Sequence, residues 1–122
     1  MAKDRFQYHD YYQVDELLSE EHKLVRDSVR EWVKKEVSPI VEDYCQRAEF
    51  PRQWIKGLGE IGAFGPYIPT EYGGGGMDQI AYGLIMMELE RGDSGLRSTA
   101  SVQSSLVMYP IFTYGSEEQK RK

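Results

Sequence analysis

Asp78-Gln-Ile-Ala-Tyr-Gly-Leu-Ile-Met-Met-Glu-Leu-Glu-Arg-Gly-Asp-Ser-Gly-Leu-Arg-Ser98 is the stretch that decides the fold class. Asp78 is an N-cap signal, because a short side-chain oxygen satisfies amides that a first helical turn leaves without partners. Ile80, Ala81, Leu84, Ile85, Met87 and Leu89 then make the surface apolar nearly all round as far as about Arg91, which predicts a helix at the centre of a bundle. Gly92-Asp93-Ser94-Gly95 breaks it and offers Asp93 or Ser94 as the next cap. The helix that follows is small and hydroxylic, with Ser98, Thr99, Ala100, Ser101, Ser104 and Ser105. Small residues let a backbone or a ligand approach closely.

Working outward, the preceding segments carry the same helical period. Ser19, with Glu20 and Glu21 behind it and His22 in place of the usual Glu or Gln, is a fair start that falls short of a full capping box. Leu24, Val25, Val29, Trp32, Val33, Val37, Ile40, Val41 and Tyr44 recur on one stripe. Pro39 is expected to kink or divide that helix. A second helix is predicted from Pro51, with Trp54, Ile55, Leu58 and Ile61 on one face and Gly62 ending it. Ala63 to Gly76, with Pro66, Pro69 and four consecutive glycines, reads as a loop. Gly115-Ser116-Glu117-Glu118 opens a last helix still incomplete at Lys122, which predicts a truncation. No segment alternates with the period of a strand. The expectation is an all-α bundle, antiparallel in large part. Residues 1–18, with Phe6, Tyr8, Tyr11 and Tyr12, read as an extended arm, and residues 19–122 as one helical domain.

Bulk properties narrow the function classes. A chain of 122 residues has room for one modest core. Its net charge of −5 argues against a nucleic-acid partner, which rewards clustered cations. Lys34-Lys35 and Lys120-Arg121-Lys122 read as solvated helix faces. No apolar run approaches the roughly 20 residues of a membrane span, so no membrane insertion is expected. The first residues lack a secretory core, and the single Cys45 excludes an internal disulfide, so a reducing compartment is expected.

Several residue patterns invite chemical readings. Gly57-Leu-Gly-Glu-Ile-Gly62 matches the glycine pattern of dinucleotide sites, but it lies within a helical stretch and runs into a loop, where no strand delivers a pyrophosphate to a helix N-terminus. Gly73 to Gly76 lacks the Lys-Ser/Thr of a P-loop and reads as a flexible turn. His9 and His22 have no companion at metal-ligand spacing and are expected at the surface, so no metal site is expected. Cys45 is expected half-buried, and Met86-Met87 as core filling. Arg97 stands apart. A cation in the first turn of a helix is disfavoured by the dipole and needs an acidic neighbour. Glu90 and Asp93 are close across the turn, and the helix N-terminus with Arg97 and Ser98 would form a carboxylate receptor. The plainer alternative is a solvated arginine paired with Asp93.

Glu49-Phe-Pro, Leu58-Gly-Glu-Ile-Gly and Ile68-Pro-Thr-Glu-Tyr-Gly-Gly resemble the first domain of the acyl-CoA dehydrogenases. Ala81-Tyr-Gly-Leu, Glu88-Leu-Glu-Arg-Gly-Asp-Ser-Gly-Leu-Arg-Ser and Ser101-Val-Gln-Ser-Ser-Leu-Val-Met resemble the glutaryl-CoA dehydrogenases among them. The resemblance runs from about Phe6 to Lys122. It implies a flavoenzyme of three domains, helical, β and helical, assembled as a homotetramer with FAD between domains and subunits. In such enzymes a glutamate of the C-terminal domain removes the α-proton while the β-hydrogen leaves as hydride to the flavin. Neither the catalytic base nor the flavin site is expected in this chain, so the chain alone is expected to be colourless and inactive. By the same resemblance Arg97 faces the distal carboxylate of glutaryl-CoA, Ser98 stands beside it and Glu90 steadies the arginine. Oxidation and loss of carbon dioxide would give crotonyl-CoA, with electrons passing to an electron transfer flavoprotein. The implied compartment is the cytoplasm of a bacterium or a mitochondrial matrix.

Two alternatives remain at this level. One is a short- or branched-chain acyl-CoA dehydrogenase that does not decarboxylate and in which Arg97 is structural. The other is a non-catalytic helical interaction domain that binds a partner through its aromatic arm.

Overall fold

The computed structural model describes residues 9–122, so Phe6 and Tyr8 of the arm lie outside the described residues. Tyr11 and Tyr12 are 84% and 91% exposed, and the arm is not extended throughout, because Val14–Leu17 wind a single 3-10 turn. An ion pair from Arg26 Nη1 to Asp15 at 2.6 Å ties this turn to the first helix.

Helix α1 spans Glu20–Trp32, and its start is better built than the sequence promised. The Ser19 hydroxyl accepts from the His22 amide, while the His22 ring Nδ1 accepts from the Ser19 amide at 3.3 Å. The imidazole thus completes the capping box that Glu or Gln usually closes. Val33–Val37 then widen into a π turn, and α2 runs over Val41–Gln46. The cause is Pro39, whose ring clashes with the carbonyl a turn earlier and forces the chain to open before it. Within the opened turn, the Ser38 amide reaches back to the Val33 carbonyl, and the Trp54 indole donates to the Glu36 carbonyl at 3.1 Å. Cys45, expected half-buried, is exposed on α2, and Leu24 is exposed rather than part of the stripe.

Helix α3 spans Gln53–Glu60, and Gly62 ends it with φ at 71°. The glycine pattern within it is a packing device. A side chain at Gly57 would lie 2.5 Å from the Trp32 ring, so only glycine lets α3 settle on α1. In the loop beyond, Gly73 to Gly76 are not the flexible turn expected. The amides of Gly74, Gly75 and Gly76 donate to the carbonyls of Pro69, Gly65 and Ile68, so the segment is folded back onto its own beginning. The buried Ser104 hydroxyl fastens the loop from the other side, accepting from the Gly65 amide and donating to the Ala63 carbonyl.

Helix α4 spans Gln79–Gly92 behind the Asp78 cap. It is central, as its composition predicts, with Ala81, Leu84, Ile85 and Leu89 buried beside Val29, Val33, Trp54, Leu58, Leu96 and Ala100. Its burial is nonetheless one-sided, since Ile80 is 51% and Met87 63% exposed; of the methionine pair only Met86 packs against the core. Helix α5 spans Ser94–Ser101, passes through a second π turn at Val102–Met108 just before Pro110, and continues as α6 over Tyr109–Tyr114. Helix α7, Glu117–Lys120, starts from a capping box on Ser116. Among the described residues there is no strand.

The expectation of antiparallel packing holds for α4 against α5, which doubles back through Asp93. It fails for α1 and α4. His22 pairs with Asp78 near their N-termini, and Arg30 pairs with Glu88 further along both, so these two helices run parallel. The chain between them is a crossover made of α2, α3 and the glycine-rich loop. At their C-terminal ends a side chain on Gly92 would meet Val33 at 2.7 Å, so the close approach again depends on a glycine.

Candidate functional site

The corner between α4 and α5 gathers the polar side chains singled out in the sequence. Asp93 is the cap of α5: its carboxylate accepts from the Leu96 amide at 2.8 Å. That engagement leaves Glu90 as the partner of Arg97, whose Nε donates to Glu90 Oε2 at 2.5 Å. The arginine paired with Asp93 is therefore not what forms. On the opposite side of the guanidinium, Nη1 is 3.4 Å from the Ser101 hydroxyl. The second oxygen of Glu90 accepts from the Ser94 hydroxyl at 2.6 Å. The Ser94 hydroxyl and then the Arg97 guanidinium hold the Glu90 carboxyl below the usual carboxylate range. Arg97 is about one-third exposed (36%), so its charge is neutralised locally yet its fork is accessible.

Ser98, one residue on, is half-buried and is not joined to Arg97 by a hydrogen bond among the described residues. It lines an open, mostly apolar hollow of about 660 Å³ with Ile55, Phe64, Thr99, Val102, Gln103 and Met108. Ile55, expected on the packed face of α3, instead borders this hollow and is 48% exposed. Of the residues singled out in the sequence, the structure joins Glu90 to Arg97 and adds Ser94 and Ser101 to the pair, while Ser98 borders the hollow instead. The hydroxyl-rich body of α5 was the available signal, and nothing in its spacing told which hydroxyl faced Glu90.

Two polar clusters outside the corner were also missed. Glu88 is 2% exposed, receives Arg30 through Nε at 3.0 Å and Nη2 at 2.7 Å, and pairs with Arg91 at 3.1 Å. Its place on the buried face of an apolar helix was the sequence signal, since a carboxylate survives there only with a cation beside it. His22, expected at the surface, is largely covered and its Nε2 lies 2.9 Å from Asp78. Because Nδ1 accepts from Ser19, Nε2 carries the proton and donates. Among the described residues no group of His, Cys, Asp and Glu is arranged to hold a metal.

Residues 19–122 match the acyl-CoA dehydrogenase N-terminal domain, and the chain belongs to that family. It is 42% identical over 85% of its length to a probable acyl-CoA dehydrogenase of Bacillus subtilis, covering 27% of that protein. To the mitochondrial short-chain specific acyl-CoA dehydrogenase of Bos taurus it is 35% identical over 93% of the chain and 27% of the relative. A glutaryl-CoA dehydrogenase of Mycobacterium smegmatis, solved in complex with FADH2, superposes with a TM-score of 0.85 at 41% identity, over 89% of this chain and 28% of that one. The chain thus spans just over a quarter of the length of these relatives. No helix among the described residues is long and apolar enough to cross a membrane.

Proposed function

We propose that this chain is the acyl-gripping domain of a FAD-dependent dehydrogenase that oxidises and decarboxylates glutaryl-CoA to crotonyl-CoA. The observation that carries the reading is the Glu90–Arg97 ion pair at the corner of α4 and α5, on the helix whose Ser98 borders the apolar hollow. An acyl chain ending in a carboxylate needs a cation in fork geometry at the far end of a greasy cleft, and a bidentate arginine supplies both charge and orientation. Glu90 aims the fork, the hollow takes the methylene chain, and Ser98 stands beside the arginine to donate to the same carboxylate. Fixing the far end of the substrate also fixes which carbons meet the reacting groups.

FAD supplies the oxidation in such an enzyme, but the described residues offer it no cradle. Gly57, the first glycine of the dinucleotide-like pattern, packs against Trp32 of α1, and among the described residues no buried side-chain polar atom lacks a partner. The flavin, the α-proton base and the decarboxylation chemistry are assigned to parts of the protein beyond this domain. The same reading gives a homotetramer, reoxidised by an electron transfer flavoprotein, in a bacterial cytoplasm or a mitochondrial matrix.

A short-chain substrate is the second reading, favoured by the fact that Glu90 already neutralises Arg97 without any ligand. The test is anaerobic bleaching of the flavin in the full-length protein by glutaryl-CoA and, separately, butyryl-CoA. Selective bleaching by glutaryl-CoA is expected. Arg97→Ala is expected to cost glutaryl-CoA turnover on the order of 3 kcal/mol and to spare butyryl-CoA. Equal losses on both substrates, or bleaching by butyryl-CoA alone, would make Arg97 structural.

A further inference from the structure

Ser94 is exposed, lies at the first turn of α5, and belongs neither to the core nor to the cap, which Asp93 provides. Its hydroxyl nevertheless reaches back across the corner to Glu90 Oε1 at 2.6 Å, one of the shortest hydrogen bonds among the described residues. Glu90 is thereby held at both oxygens: Oε1 by Ser94 and Oε2 by Arg97 Nε. A carboxylate fixed at only one oxygen can rotate about its terminal bond and swing its partner with it. Fixed at both, it has one orientation.

We propose that Ser94 is a positioning residue for substrate selection: by locking the Glu90 carboxylate it fixes the angle at which the Arg97 guanidinium meets the distal carboxylate of the acyl group. The inference rests on the dicarboxylic reading of Arg97 above and adds to it the group that sets the arginine's aim. Arg97 is then braced on two sides, by Glu90 at Nε and by Ser101 at Nη1. Nη2 has no hydrogen-bond partner among the described residues, and with the second hydrogen of Nη1 it forms the fork left for a substrate carboxylate. The hydroxyl also holds the Glu90 carboxyl below its ordinary range, ahead of Arg97 as the cause. The charged groups around this carboxylate are Arg97 on α5 and Asp93 at the turn, the latter occupied by the Leu96 amide; on α1 and the inner face of α4, Arg30 and Arg91 are engaged with Glu88.

The test uses the full-length, flavin-loaded protein with Ser94→Ala, Ser94→Thr and Arg97→Ala, measuring KM and kcat for glutaryl-CoA and butyryl-CoA across the acidic range. Ser94→Ala is expected to raise the KM for glutaryl-CoA about 5- to 10-fold, the effect of loosening one charge-assisted hydrogen bond. It should leave butyryl-CoA unchanged and move the acidic rise of the glutaryl-CoA KM to higher pH. Ser94→Thr, which keeps the hydroxyl, should restore both. If Ser94→Ala changes neither the KM ratio nor the pH profile while Arg97→Ala abolishes the preference, the Ser94 role is wrong and the dicarboxylic reading stands. A Ser94→Ala loss shared equally by both substrates makes Ser94 a purely structural residue. If Arg97→Ala leaves the preference intact, the dicarboxylic reading fails and takes the Ser94 role with it.

Discussion

At the residue scale, the buried carboxylate of Glu88 governs more of the stability than the exposed ion pairs around it. It is 2% exposed, while Arg30 and Arg91 beside it are 20% and 14% exposed. Removing the carboxylate takes the buried anion from between two guanidinium groups that are themselves largely covered. Glu88→Ala is therefore expected to lower the unfolding free energy by about 3–5 kcal/mol, against well under 1 kcal/mol for an exposed pair such as Lys56–Glu60. Urea denaturation of both variants checks this, and similar losses would contradict it. The sequence put Glu88 on a recognisable family stretch but gave no sign of its partners, because Arg30 lies 58 residues away. Arg97 was more legible, since its partner Glu90 is 7 residues away across a visible break. Even there, Asp93 could be eliminated only once it was seen capping α5.

At the element scale, glycines and prolines set the shapes that packing needs. Gly57 and Gly83 both sit inside helices, and propensity alone predicts that alanine stabilises either one by about 0.5–1 kcal/mol. Their surroundings separate them. Nothing lies within 4 Å of a side chain placed on Gly83, whereas one on Gly57 runs into the Trp32 ring. Gly83→Ala is expected to raise the thermal midpoint, and Gly57→Ala to lower it by the cost of overpacking, about 1–3 kcal/mol. A rise in both would mean that Trp32 swings aside freely. The two π turns have a common origin in Pro39 and Pro110, each standing shortly after the widened turn. The first was foreseeable as a break, but its width, and the use of the freed Glu36 carbonyl by Trp54, depend on α3 arriving at that place.

At the scale of the whole molecule, acid should loosen the domain where its helices are tied by carboxylates. Asp78, Asp27, Glu90 and Glu117 all have pKa values below their ordinary ones, Asp78 chiefly through the Ala81 amide and then the His22 ring. A carboxyl depressed in the folded state stabilises it above its ordinary pKa, and that contribution is lost as pH falls through the folded value. Stability should thus decline below about pH 4. Asp78→Asn keeps an N-cap side chain but removes the charge, so it should flatten that decline without abolishing α4. Urea midpoints measured between neutral and acid pH test this; an unchanged slope would remove Asp78 from the account. The exposed apolar side chains of the second π turn and α6, among them Leu106 at 68% and Tyr114 at 85%, predict concentration-dependent self-association of the isolated chain by light scattering.

Local chemistry was decided by the sequence itself. Caps at Ser19, Asp78 and Ser116, the 3.6-residue period and the breaks at Gly62 and Gly92 involve neighbours a few residues apart, so helix identity and the family resemblance could be read directly. The parallel run of α1 beside α4, the burial of Glu88, the His22–Asp78 link and the fastening of the glycine loop by Ser104 belong to the tertiary structure alone. Those contacts join residues 39 to 58 positions apart, and only closure of the crossover through α2, α3 and the loop determines which side chains meet.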